Sequence, residues 1–145
     1  MGLFFSKTVH YGRFQTGSCW TTKTSKHSSI TANKKGYNPV LFRATEETNE
    51  KQAIRVVSMA EKLLGSISDK RVAVLGLAFK KDTDDIREAA SLRVIESLKK
   101  KGAQVVAYDP MAIPKAERVF SKQIDYAKNP HSALKGADCA IIMTE

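Results

Sequence analysis

The apolar positions of this 145-residue chain are most clearly ordered between Arg71 and Pro110. The run Val72 to Leu75 has charge before it and glycine after it, the pattern of a strand buried on both faces. From Arg87 onward Ala89, Leu92, Ile95 and Leu98 recur at every third residue, so they share one face of a helix that can lie on a sheet. Lys99, Lys100 and Lys101 fall in its last turn, opposite the negative end of the helix dipole, and Gly102 suits the left-handed conformation that ends it. Val105 to Tyr108 form a second strand, closed by the turn pair Asp109-Pro110. Strand, helix and strand at this spacing make a βαβ unit, which joins parallel strands through a right-handed crossover.

Outside this unit the pattern is thinner. Ile54, Val57, Ala60 and Leu64 mark an amphipathic helix over residues 45–64, with Glu46, Glu47 and Glu50 in its first turns and Gly65 just past its end. After Pro110 the spacing predicts a short helix over 112–120, another over 129–134 with His131 as a surface or capping residue, and a third parallel strand over 139–143. Residues 1–43 are rich in Ser, Thr and Lys without a period of 2 or 3.6, so they are expected to be poorly ordered. The chain is therefore expected to divide into a basic irregular segment (1–43), a long helix (44–65) and an α/β domain (66–145).

Charge sharpens that division. The formal net charge is +9, yet residues 1–43 hold seven Lys or Arg and no acid, while the remainder is close to balanced. Aromatics interleave with the cations (Phe14, Trp20), one arrangement for stacking on single-stranded nucleic acid, but no folded platform accompanies them and a nucleic-acid partner is not expected. Met1-Gly2 with Ser6 satisfies the loose myristoylation pattern, which demands little. No apolar run is long enough for a secretory signal or a bilayer span, so no membrane partner is expected. Cys19 and Cys139 make neither a disulfide framework nor a metal-ligand spacing, and a reducing, cytoplasmic setting is the expectation. Cys139 falls in the apolar run Ala137 to Ile142 and reads as a small core residue.

The loop after the first strand carries the candidate chemistry, because ligands of open parallel sheets bind outside the carboxyl ends of the strands. A G-x-G-x-x-G fingerprint would need glycine where Ala78 and Lys81 stand. Instead the loop offers Lys80 and Lys81, followed by Asp82, Asp84 and Asp85. Two readings are open: a cationic ligand-facing turn, or acids that cap the following helix beside solvated lysines.

The run Gly76-Leu77-Ala78-Phe79-Lys80-Lys81-Asp82-Thr83-Asp84-Asp85-Ile86-Arg87-Glu88-Ala89, with Gly102-Ala103 and Ala107-Tyr108-Asp109-Pro110, closely resembles the carboxyl-terminal domain of the nucleotide-sugar dehydrogenases, the UDP-glucose and GDP-mannose dehydrogenases and their relatives. The resemblance extends more thinly from about Gly36 to Glu145. It implies a Rossmann-like parallel sheet with flanking helices, preceded by a connecting helix that builds a dimer interface, and a nucleotide-sugar ligand of the UDP-sugar class. It implies further that NAD is the cofactor, bound mainly by an amino-terminal domain that this sequence does not show, with a partner chain one source of that missing half. By the same resemblance Phe79 and Lys80 would contact the substrate and Arg87 the cofactor. Cys19, in Gly17-Ser18-Cys19-Trp20, would be the nucleophile that forms thiohemiacetal and thioester intermediates as a primary alcohol becomes a carboxylate.

The sequence departs from the family around that cysteine. Phe14-Gln15-Thr16 replaces a glycine-rich approach, and Lys23-Thr24 stands where a Lys-Asp pair is usual. A thiolate needs a cation or hydrogen-bond donors to be reactive. The implied reading is a truncated NAD-dependent nucleotide-sugar 6-dehydrogenase; the alternatives are a nucleotide-binding module without catalysis, or an interaction role for the basic tail.

Overall fold

The computed structural model describes residues 2–5, 9–10 and 28–144. Its six-stranded sheet is built from β1 (Gly2–Phe5), β2 (Val9–His10), β3 (Arg71–Leu75), β4 (Gln104–Tyr108), β5 (Asp125–Tyr126) and β6 (Cys139–Ile142), in the order β2-β1-β6-β3-β4-β5. Strands β6, β3, β4 and β5 are parallel, whereas β1 runs antiparallel to β6 and β2 antiparallel to β1. The helices are α1 (residues 28–34), α2 (Val40–Leu64), α3 (Ala90–Lys100), α4 (Ile113–Phe120) and α5 (Pro130–Leu134).

The pleat of β3 explains the layering. Val72 and Val74 point into a core that contains Val56 and Val57 of α2, Val94, Ile95 and Leu98 of α3, and Phe120 of α4. Ala73 points the other way, into a second cluster with Val106, Ala127, Ala133 and Ala140. Large side chains on one face accommodate a layer of three helices, and the alanines of the other face let the five-residue α5 approach closely. Helices on both faces are what a parallel sheet requires, because its strands are apolar on both sides.

The predicted βαβ unit is present as β3, α3 and β4, with Leu75 paired to Tyr108 at its far end. Lys99 and Lys100 sit in the last turn of α3, and Gly102 takes φ +80° directly after it. Lys101 reaches back to α2, its Nζ 2.8 Å from Glu61 Oε2.

Four expectations are corrected. Ile54 is 59% exposed; the inward stripe of α2 is Asn49, Ala53, Val56, Val57 and Ala60, with Leu64 packed against the same core, so Val57, Ala60 and Leu64 face inward as expected and Ile54 does not. That helix starts at Val40, a turn earlier than its acidic residues suggested. The acids of the loop do not cap α3, which begins at Ala90 behind Ala89 with no side-chain cap. Strand β5 lies between the two predicted late helices; at two residues it is too short to show a period and exists because the edge of β4 gives it a partner.

The leading segment also differs from its irregular expectation where it is described. Gly2–Phe5 pairs along β6 with Leu3 opposite Ile141, Val9–His10 pairs with β1, and residues 28–34 are helical. Pairing to an existing sheet edge needs no period in the added strand, so the sequence carried no sign of it. Among the described residues no helix is long and apolar enough to cross a membrane.

Gly76 is the residue at which the sheet becomes the site. It takes φ +88°, and a Cβ there would stand 2.7 Å from both Cβ and the backbone N of Thr144, just beyond β6. Gly76→Ala therefore combines a left-handed alanine with a steric overlap against backbone, and is expected to cost about 3 kcal/mol. The fall in denaturant midpoint in equilibrium unfolding measures it; an unchanged midpoint would show that Thr144 moves away freely.

Candidate functional site

Beyond the carboxyl ends of β3, β4 and β6 lies a cleft of about 480 Å³. It opens where the strand order reverses, with β4 on one side of β3 and β6 on the other, the position at which open α/β sheets bind ligands. Leu75, Tyr108 and Ile142 at the strand ends give it an apolar floor. Lys80 to Thr83 form one wall and Pro110 with Met111 the other.

A single carboxylate ties the bases of the two walls. Asp109, 4% exposed, accepts the N–H groups of Leu77 (2.8 Å) and Ala78 (3.1 Å) on Oδ2, and those of Met111 (2.8 Å) and Ala112 (2.7 Å) on Oδ1. Buried Ser91 donates its hydroxyl to Leu77 O at 2.6 Å, and Thr144 donates its own to Ala78 O at 2.5 Å, which fixes the start of the loop against α3 and the end of β6.

From there the loop folds on itself. Phe79 N donates to Asp85 O at 3.1 Å, which leaves Lys80 to Asp84 as a projecting tip. Asp82 reverses the chain with φ +57°, and Asp85 holds the Arg87 guanidinium through two bonds, Nε to Oδ1 at 2.9 Å and an Nη to Oδ2 at 2.8 Å, and its backbone N–H through a third at 3.0 Å. Asp84 Oδ2 pairs with Lys115 Nζ on α4 at 2.8 Å. The acids thus serve the loop and its neighbour. Among the described residues neither Lys80 nor Lys81 forms an ion pair; Lys80 Nζ stands 5.3 Å from the ring centre of Phe79.

The four residues singled out from the sequence are placed differently. Lys80 lines the cleft, while Phe79 is half-buried beside it with its backbone closing the loop. Arg87 is exposed and bound to Asp85, away from the lining. Cys19, with Gly17, Ser18 and Trp20, lies outside the described residues, as do Lys23 and Thr24. His131 is exposed, and the cap of α5 is Asn129, whose side chain accepts from Ser132 N at 2.8 Å.

Sequence reasoning missed Asp109, read only as a turn residue, and Thr144 and Lys115, which it did not single out. An aspartate directly after a buried strand and opposite a second strand end was the one available signal for the first. The other two depend on proximity across 66 and 31 residues of chain and leave no local trace.

The arrangement can hold an anion with an apolar body: two cations on a tip above an apolar floor. Among the described residues the lining carries neither histidine nor cysteine, and no group of three metal-ligating side chains occurs. The Cys139 thiol is buried in β6; burial and the neighbouring Asp138 push it up to about 12, which leaves it protonated at neutral pH and a core residue as expected.

Known proteins resemble the chain over this region. The family model described as "UDP-glucose/GDP-mannose dehydrogenase family, UDP binding domain" matches residues 73–145, which include the loop and the whole cleft lining beyond β3. UDP-glucose 6-dehydrogenase TuaD of Bacillus subtilis is 39% identical over 129 residues, covering 89% of this chain and 28% of its own length. UDP-glucose 6-dehydrogenase AglM of Haloferax volcanii is also 39% identical over 129 residues, covering 89% of this chain and 29% of its own. The solved UDP-glucose dehydrogenase of the hyperthermophilic archaeon Pyrobaculum islandicum superposes with a TM-score of 0.80 at 33% identity, over 88% of this chain and 29% of that one. The chain spans less than a third of the length of each of these relatives.

The Asp109 carboxyl gives the site a pH signature. Burial alone would raise its pKa, but the N–H groups of Met111, Leu77, Ala112 and Ala78 outweigh burial and hold it below the usual carboxylate range. A depressed folded-state pKa contributes stability that is present above the unfolded value of about 3.9 and is lost as pH falls through the folded value. Asp109→Asn places an NH2 against one pair of donors, and is expected to cost about 3 kcal/mol at pH 7. The gap between wild type and variant should narrow below about pH 4. Thermal unfolding of both proteins from pH 7 to pH 2.5 checks this, and a gap independent of pH would show that the carboxylate charge is not what the N–H groups hold.

Proposed function

Because this chain belongs to the UDP-glucose/GDP-mannose dehydrogenase family, we propose that its cleft holds the nucleotide diphosphate of a UDP-sugar for oxidation at the sugar's primary alcohol. The observation that carries this reading is the pair Lys80 and Lys81 at the tip of the loop, above an apolar floor, at the point where the sheet order reverses. A diphosphate needs cations and a nucleoside needs apolar surface; the cleft supplies both within one volume. Lys80 is assigned to the diphosphate, and Phe79, which anchors the same tip, to the substrate side.

The dinucleotide does not fit the described residues in the same way. A pyrophosphate binds where a glycine-rich turn runs straight into a helix N-terminus. Here Gly76 is crowded by Thr144, and α3 begins only at Ala90. No hydride step is therefore routed through these residues. In this reading NAD is held by another segment or chain, with Arg87 on the cofactor side, and Cys19 is the thiol that adds to the aldehyde carbon formed from the alcohol.

Calorimetric titration of the full chain with UDP and UDP-glucose tests the proposal. Saturable binding is expected, and Lys80→Ala should weaken it by roughly 10- to 100-fold, the loss of one charge-assisted contact to phosphate. Uridine, which has no phosphate, should bind weakly to both proteins. Equal UDP affinity in wild type and Lys80→Ala would remove the assignment of the loop to the diphosphate.

A further inference from the structure

The two walls of the cleft are joined at two depths. At the base, Asp109 is buried and joins Leu77 and Ala78 to Met111 and Ala112. At the rim, one residue beyond Thr83 on the loop and four beyond Met111 on the other side, Asp84 meets Lys115 at 2.8 Å. Those two side chains are 49% and 45% exposed. The base tie is a desolvated carboxylate with every bond made, whereas an exposed ion pair forms and breaks readily.

We propose that the Asp84–Lys115 ion pair is a latch that sets the width of the cleft, which makes both residues positioning residues for the ligand. The inference rests on the nucleotide reading above only for the identity of that ligand. The loop has the construction a latch needs. Phe79 N to Asp85 O and the Asp85–Arg87 pair bind residues 79–87 into one unit, so holding the tip at Asp84 holds Lys80 to Thr83 with it. Asp82 and Glu88 both take left-handed φ, +57° and +59°, so the loop is kept in this shape by its contacts and not by backbone preference. Closing the rim narrows the gap between the lysines and Met111; breaking it lets the tip swing about the base that Asp109 fixes.

A competing account is that Asp84 acts only through its charge, and the two accounts predict opposite signs. If charge alone mattered, Asp84→Asn would strengthen the binding of an anion. A latch requires that Asp84→Asn weaken it, through faster dissociation, as should Lys115→Met. The pairwise exchange Asp84→Lys with Lys115→Asp keeps the net charge and should restore both loop order and affinity.

Amide hydrogen exchange of residues 79–88 in the ligand-free full chain reads the latch directly. Exchange should be about two- to fivefold faster in each single variant, return towards wild type in the exchanged pair, and lose this difference at 1 M salt. Stopped-flow dissociation of UDP should show the same order. Exchange unchanged in the single variants, or tighter UDP binding by Asp84→Asn, overturns the latch. A wild-type chain that takes up no UDP removes the nucleotide reading instead, and the exchange data then decide the latch alone.

Discussion

The carboxylate of Asp109 is the constraint on which the site depends. Two loops leave the sheet at adjacent strand ends, one after β3 and one after β4, and each begins with backbone N–H groups that the strand ladder no longer satisfies. Buried donors without partners cost about 1–3 kcal/mol each. Asp109 meets four of them with two oxygens. The geometry needs an acceptor at both oxygens, so the amide of asparagine serves only half of it, and a glutamate would place its oxygens one methylene too far along. With the four bonds made, the spacing between the two loops is set by the width of a carboxylate, and the cleft above inherits that spacing.

The sheet is arranged to leave this place open. Three helices fill the face that carries Val72, Val74 and Val105, whereas among the described residues the alanine-rich face receives the short α5. The crossovers from β3 to β4 and from β4 to β5 run in one direction, and the connection through α5 returns the chain to the other side of β3. At the boundary between these directions the two strand-end loops part and neither closes over the gap. Gly76 and Thr144 meet at 2.7 Å from where a Cβ would stand, so the β3 and β6 ends are as close as backbones allow directly below the opening.

How much of this the sequence announced depends on whether a feature is local. The buried run Val72 to Leu75, the stripe that includes Ile95 and Leu98, and Gly102 at the helix end are set by neighbours in the chain, and all three are present where expected. Features set by distant partners were invisible or misread. Val40 to Arg43 carry no acidic start signal, yet the helix runs through them. Strands β1 and β5 exist because β6 and β4 offer edges. In the site, Lys80 was singled out with Lys81 as the cationic part of the loop after β3 and it lines the cleft, and Asp109 was taken for a turn residue because, beyond the local Met111 and Ala112, its partners lie 31 and 32 residues away. The acids as a group suggested a helix cap that the structure does not contain: Asp84 serves α4 and Asp85 serves Arg87.

The loop is also where the chain departs from local preference, and the departure has a use. Left-handed φ falls on glycine at Gly76, Gly102 and Gly136, but on residues with side chains at Asp69 and Ser121 and, within the loop, at both Asp82 and Glu88. A side chain in that region costs about 1–2 kcal/mol, less for aspartate, which tolerates it better than most. The reversal at Asp82 brings Phe79 N to Asp85 O and so turns Lys80, Lys81 and Thr83 into one projecting wall. Lys80 and Lys81 are neighbours in the chain, so the Asp85–Arg87 and Asp84–Lys115 pairs decide not how close the two cations are but where they stand, at the wall of the cleft, where a ligand with negative charge in one small group can meet both.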